Sequence, residues 1–222
     1  MNAKLNYRNL QEFIQAIDEA GELKRIATEV DPYLEMTEIA DRVMKQPGGG
    51  AALLFENVKG CDIPLGINLF GSSRRMGMAL GVESLDEIGD RLSDMLKLDV
   101  PDSLMGKLAM LPMLKEIAGF PPRSVRSGAC QEVVLQGDDI DLSALPVMTC
   151  WPDDGGPFIT LPLVITKDPD TGVRNVGMYR IQVLDRNTTG MHWQRHKVGA
   201  HHFELAKRKG ERLEVAVAIG GD

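Results

Sequence analysis

The chain has 222 residues, 43% of them hydrophobic and 26% charged, and a formal net charge of −7. This is the composition of a folded globular protein, long enough for one large domain or two small ones. It excludes a disordered chain, and the net negative charge argues against a nucleic-acid partner. No stretch approaches the roughly 20 apolar residues that a membrane-crossing helix needs, and "MNAKLNYRNLQEF" lacks the apolar core of a secretory leader, so the expected location is the cytoplasm.

Leu10, Phe13, Ile14 and Ile17 recur at helical spacing, with Asn9 placed to cap the start and Gly21 to stop the helix. A short strand is predicted at Leu23 to Ile26. The segment "DPYLEMTEIADRVMKQPGGG" reads as a helix ended by Pro47 and three glycines. "AALLFEN" and "IPLGINLFG" are compact apolar runs between turn residues, the pattern of buried strands. Helical patterns follow at Arg74 to Leu80, Leu85 to Leu96 and Leu104 to Ile117. Alternation of strands and helices identifies residues 1–118 as an α/β domain.

"GFPPRSVRSGAC" changes the character of the sequence, because Pro121 and Pro122 impose an extended connection, and a second domain is predicted over residues 119–222. "QEVVLQ", "PFITLPLVITKD", "RNVGMYRIQVLD" and "TTGMHW" read as strands, with "DRN" as a tight turn between the last two. "DIDLSALPVMTCWPDDGGP" reads as an ordered loop. A helix ending in "KRKG", with Gly210 as its stop, leads into the strand "RLEVAVAIG". The expected fold class is α+β. Cys61, Cys130 and Cys150 are widely spaced, form no C-x-x-C pair and are read as buried thiols. An apolar strand followed at once by "GGD" is the pattern of the front part of a longer protein.

All four histidines, His192, His196, His201 and His202, fall in "MHWQRHKVGAHH", together with Trp193. His192 and His196 are four residues apart, yet Gln194 stands in "HWQRH" and no glutamate offers the general base of a zinc protease. In the strand before them, Asn175, Gly177, Tyr179 and Ile181 should face one side, and Val176, Met178, Arg180 and Gln182 the other. Asn175 can offer an amide oxygen to a metal. Arg180 can present a two-pronged fork to a carboxylate, or can reach out to water from a strand edge. If it is buried, it needs an acidic partner.

"CWPDDGGPFITLPLVIT", "NVGMYRIQ" and "MHWQRHKVGAHH", with "GELKRI", "LLFENVKG" and "INLFGSSRRM" earlier, resemble the UbiD-like decarboxylases along essentially the whole chain. The resemblance implies prenylated FMN as cofactor, and an aromatic or α,β-unsaturated carboxylic acid as substrate. A polyprenyl hydroxybenzoate of ubiquinone biosynthesis and simpler phenolic acids both fit. It implies that the second domain is a flavin-binding split β-barrel, incomplete in this chain. Residue by residue, it assigns Asn175 and His196 to a manganese ion, with a monovalent cation such as K+ as a further companion. Thr160, Met178, Tyr179, Arg180, His192, Trp193, Gln194 and Lys197 are assigned to the cofactor wall, Lys197 facing the phosphate. Arg180 also orients the substrate carboxylate as the catalytic residue. His201 and His202 receive no role beyond starting a helix.

The same resemblance implies a flavin prenyltransferase as cofactor supplier and a homo-oligomeric assembly. It also implies that an acidic network and one more metal-binding glutamate come from chain beyond Asp222. Two further function classes remain open on the sequence: a non-catalytic flavin- or nucleotide-binding module, and a metal-dependent hydrolase, which lacks a suitable general base.

Overall fold

The computed structural model describes residues 7–96, 110–119, 121 and 124–221. The first helix, α1 (Leu10–Glu19), starts where the sequence predicts: the Asn9 side chain accepts a hydrogen bond from the Glu12 amide at 2.9 Å. Gly21, with φ +70°, turns the chain out of it. Strand β1 (Leu23–Ile26) pairs in parallel with β2 (Ala52–Phe55), which pairs antiparallel with β3 (Leu65–Ile67). Helix α2 (Glu35–Met44) connects β1 to β2. All four residues of β2 are buried because helices cover both faces. Ala52 meets Phe13 and Ile17 of α1, whereas Leu53 and Phe55 meet Met36 and Ala40 of α2.

The run "IPLGINLFG" makes a shorter strand than its apolar character suggests. Asn68 adopts a left-handed φ of +58° immediately after β3, and its amide donates to the carbonyls of Gly49 and Ala51 at 2.8 and 3.0 Å, which ends the ladder. Helix α3 (Ser73–Leu80) follows, capped by Ser72. Its Arg75 is fully buried. The guanidinium donates to Glu22 at 2.9 Å and to the carbonyls of Leu69 and Asn68, both at 3.2 Å. Glu22 is held from its other oxygen by Arg74 at 2.7 Å. Helices α4 (Asp86–Leu96) and α5 (Leu111–Ile117) follow; the first part of the helix expected from Leu104 lies outside the described residues.

The second half is β-rich but more broken than the sequence suggests. "QEVVLQ" forms no strand: Ala129–Gln131 make a short 3-10 turn, and Val133, Val134 and Leu135 are exposed. Among the described residues no strand lies beside it, so β propensity finds nothing to pair with. Cys130 is exposed as well, against the expectation of three buried thiols, while Cys61 and Cys150 are half-buried. The segment from Ala144 to Cys150 packs back on the first half. Met148 joins the core around Phe55, and Thr149 exchanges backbone hydrogen bonds with Pro32 and Leu34.

The run "PFITLPLVITKD" splits into β4 (Phe158–Ile159) and β5 (Leu163–Lys167) around Pro162, which has no N–H to give a ladder. "RNVGMYRIQVLD" splits into β6 (Arg174–Met178) and β7 (Ile181–Val183), so that Tyr179 and Arg180 carry the chain from one sheet to another. With β8 (Thr189–Met191) and β9 (Val215–Ala218) the sheets run β4-β7-β8 and β6-β5-β9. The fold class is α+β as expected, and among the described residues the strands form no closed barrel. Strands β8 and β9 remain sheet edges. An apolar groove of about 680 Å³, lined by Met191, Trp193, Phe203, Val215 and Val217 among others, lies between them.

Helix α6 (Val198–Lys209) packs on β5 and β6 and ends at Gly210, φ +70°. Its anchor is His202, in the first half of the helix and only 3% exposed. Nδ1 lies 2.9 Å from the hydroxyl of buried Thr166, and Nε2 lies 3.8 Å from the Asp168 carboxylate. The backbone N–H groups of Thr171 and Asp170 hold the Asp168 carboxyl below its ordinary pKa.

The buried arginine makes the first half testable. Arg75→Ala strips two carbonyls and Glu22 of a buried partner, and should cost about 3–5 kcal/mol of folding stability. Urea unfolding of variant and parent measures this; a loss below about 1 kcal/mol would mean that water replaces the guanidinium without penalty.

Candidate functional site around Arg180

The site grows from the break between β6 and β7. Alternation along β6 holds: Asn175 and Gly177 are half-buried, Val176 and Met178 exposed, and Tyr179 and Ile181 reach the core with Val164. Tyr179 is 3% exposed, and its hydroxyl accepts the Gly199 amide at 2.8 Å. Its ring meets Trp193 edge to face at 5.2 Å, and Trp193 stacks on Phe203 at 6.0 Å. Two of the residues assigned to a cofactor wall, Tyr179 and Trp193, therefore pack the structure beneath it.

Arg180 comes next and turns the other way. Nη1 and Nη2 donate to Oδ1 and Oδ2 of Asp154 at 3.3 and 2.9 Å, a two-pronged carboxylate pair. Its Cζ sits 3.7 Å from the centre of the Phe158 ring. Asp154 pushes the pKa of Arg180 further above its ordinary value through this hydrogen bonding, so the guanidinium is charged at any relevant pH. Asp154 belongs to the "PDDGGP" loop, where the Asp154 amide donates to the Trp151 carbonyl at 3.1 Å and Gln182 holds the Gly155 carbonyl at 2.6 Å. The sequence names Arg180 and its need for an acidic partner but not the partner. The signal lay in an acidic pair beside two glycines, a loop able to bring a carboxylate close to backbone.

On β6, Asn175 stands opposite Thr166 of β5. Its Nδ2 is the buried side-chain polar atom without a hydrogen-bond partner among the described residues. A buried amide left unpaired costs about 1–3 kcal/mol, so the position favours a group supplied from outside. Turning the amide by half a revolution would present its oxygen there instead. Lys197, at the start of α6, donates to the Met178 carbonyl at 2.7 Å and lies over the Tyr179 ring at 4.8 Å. Thr160, His192, Gln194 and His196 are exposed, as is Met178. His192 is tied to the arginine by its amide, which donates to the Arg180 carbonyl at 3.1 Å. The structure thus links Met178, Tyr179, Arg180, His192, Trp193, Gln194 and Lys197 through direct contacts, Gln194 by backbone hydrogen bonds to His192 and Lys197, both at 3.0 Å. Among the described residues, no hydrogen bond, ion pair or ring contact brings Thr160 or His196 to them. Among the described residues no three His, Cys, Asp or Glu side chains converge on one point.

This fold and this strand define a class. The sequence matches the 3-octaprenyl-4-hydroxybenzoate carboxy-lyase N-terminal domain over residues 14–92 and the Rift-related domain of the same enzymes over residues 123–222, and the chain belongs to the UbiD family. An uncharacterized protein of Aquifex aeolicus (strain VF5) is 52% identical over 216 residues, which are 97% of this chain and 44% of that protein. The UbiD-class enzyme HmfF from Pelotomaculum thermopropionicum, in complex with FMN, matches with a TM-score of 0.76 at 31% identity, over 96% of this chain and 42% of that one. An evolved dimeric form of HmfF in complex with prFMN matches at 0.77 and 30% identity, over 97% of this chain and 45% of that one. Vanillic acid decarboxylase of Sedimentibacter hydroxybenzoicus, in its open form, matches at 0.75 and 26%, over 99% and 43%. The chain therefore spans less than half the length of the relatives it matches. No helix among the described residues is long and apolar enough to cross a membrane.

Gly199 tests how tightly the site is built. A Cβ there would fall 2.6 Å from the Trp193 ring and 2.7 Å from the Tyr179 hydroxyl. Gly199→Ala should cost about 1–3 kcal/mol through overpacking, and should shift tryptophan fluorescence as the ring is displaced. Thermal unfolding followed by emission reads both, and an unchanged midpoint would show that α6 slides away freely.

Proposed function

We propose that the chain, with residues 1–118 as an N-terminal part and 119–222 as a flavin-binding part, belongs to a carboxy-lyase. The enzyme would remove carbon dioxide from an aromatic or α,β-unsaturated carboxylic acid with prenylated FMN. The observation that carries the reading is Arg180: a charged, ring-stacked guanidinium already shaped around a carboxylate. It stands five residues along the strand from a buried amide that lacks a partner.

The residues present fit the cofactor. The unpartnered Asn175 Nδ2 suits an acceptor oxygen of a phosphate, and the amide turned to present its oxygen would suit a hard cation such as manganese, with His196 as a second donor on the following loop. Lys197 offers the phosphate a positive charge, while Thr160, Met178, His192 and Gln194 would form the wall over the packed Tyr179 and Trp193. When bound, prenylated FMN supplies an electron sink for cleavage of the bond to the carboxyl carbon. Arg180 binds the substrate carboxylate and holds its departing group in line. Manganese, a monovalent cation such as K+, a flavin prenyltransferase as cofactor supplier and a homo-oligomeric assembly belong to the same reading. A polyprenyl hydroxybenzoate or a simpler phenolic acid is the expected substrate.

Co-expression with a flavin prenyltransferase tests the reading. The protein, extended to the length of its relatives, should carry a modified-flavin absorption spectrum and release carbon dioxide from a panel of aromatic and acrylic acids. Arg180→Ala should lower turnover at least about 30-fold while flavin is retained, since about 2–5 kcal/mol of charged contact is lost. A bound flavin with no carbon dioxide released from any acid would favour a non-catalytic flavin-binding module.

A second measurement addresses the metal. Manganese should raise flavin occupancy, and Asn175→Ala should weaken that dependence several-fold. Equal occupancy in chelated and manganese-loaded protein would remove the cation from the site.

A further inference from the structure

Arg180 and Asp154 are unequally placed: the arginine side chain is 37% exposed, whereas the aspartate is 14% exposed. The more buried member is the acid. If an incoming carboxylate took Asp154's place on the guanidinium, it would strand a largely buried negative charge, and breaking a buried pair in that way is strongly unfavourable. Asp154 is also held in place from behind. Its loop is tied by the Asp154 amide to Trp151 and by Gln182 to Gly155, with the latter bond at 2.6 Å.

The pair leaves half of the guanidinium available. A guanidinium is a planar fork with donors along two edges. Asp154 accepts from Nη1 and Nη2, which is the end edge. The side edge, made by Nε and the outer hydrogen of Nη2, meets no oxygen acceptor among the described residues; the one further hydrogen-bonding partner of the guanidinium is the Cys150 thiol. Phe158 covers one face of the plane at 3.7 Å, and the Cys150 thiol also lies against the group. With one face stacked and one edge locked, the plane of the guanidinium is fixed and its side edge has one direction.

We propose that Asp154 is the positioning residue for Arg180: it stays bound to the end edge throughout and aims the side edge at the carboxylate of the substrate. The inference rests on the reading of Arg180 as the carboxylate fork. It makes Asp154 a partner of that fork and not its competitor, with one guanidinium bridging two coplanar carboxylates. The requirement on the substrate is a planar carboxylate arriving edge-on; a neutral amide of the same shape would present an N–H to a donor and be refused.

The test needs no flavin and uses the 222-residue chain. Its readout is the Nε–H resonance of Arg180 in a nitrogen-15 spectrum, assigned by its loss in Arg180→Lys. In the parent this group should be as rigid as the backbone of β7. Benzoate should shift it saturably, while benzamide should leave it in place. Asp154→Asn, which keeps the size of the side chain but loses the charge, should make the group mobile and weaken benzoate binding at least 5-fold, with the backbone spectrum intact. Asp154→Ser, which shortens the side chain as well, should do the same or more.

A rigid Nε–H without Asp154, benzoate binding that stays equal or tightens in either variant, or no benzoate response in the parent would each overturn the proposal. Tightening in particular would identify Asp154 as a competitor for the fork. Failure of the decarboxylase reading looks different: the longer protein would carry no modified flavin or release no carbon dioxide, while the benzoate response and its dependence on Asp154 persisted.

Discussion

The hydrogen bond from the Gly199 amide to the Tyr179 hydroxyl, at 2.8 Å inside the core, is the contact on which the second half of the molecule depends. Tyr179 lies at the point where the chain leaves one sheet for the other. Its ring fills the space under Trp193, and its hydroxyl closes one of the open N–H groups at the start of α6. A single side chain thereby joins two sheets and a helix. It does so only because residue 199 is glycine: any Cβ would occupy the place of the hydroxyl. The adjacent Gly177 serves the same ring, since a Cβ there would come within 2.7 Å of its edge. Both glycines are explained by the approach of an aromatic ring and not by backbone freedom.

From that anchor the chemistry of the next residues follows. With Tyr179 turned inward, the strand geometry sends Arg180 to the opposite side, where the acidic loop and Phe158 receive it. Lys197, the residue just before the helix, is drawn over the same tyrosine ring. The ring thus meets Trp193, itself stacked on the exposed Phe203, and carries the charge of Lys197 over its face. The tyrosine accounts for the arrangement of these residues.

Much of this was legible in the sequence wherever local chemistry decides the outcome. The Asn9 cap, the stop at Gly21, the "DRN" turn and the alternation through Asn175, Gly177, Tyr179 and Ile181 all depend on near neighbours, and all are found. What was hidden depends on distant partners. "QEVVLQ" has the composition of a strand but no neighbour to pair with, and Cys130 is exposed in the same segment. His202 sits among four clustered histidines, yet only the fold brings Thr166 and Asp168 to it. The partner of Arg180 was foreseeable as a need but not as Asp154, because 26 residues of chain separate them.

The orphaned amide of Asn175 links stability to function. Folding alone leaves its Nδ2 buried and unsatisfied, at a cost of order 1–3 kcal/mol, and Thr166 across the ladder, whose hydroxyl meets His202, makes no hydrogen bond to it. The observed arrangement keeps the threonine occupied and the amide unpaired. A ligand that completes the amide then regains the energy that folding withheld, and binding to the folded state alone stabilises it by mass action. Strain of this kind belongs where a site is prepared for an outside group, and here it falls on the strand that leads to Arg180.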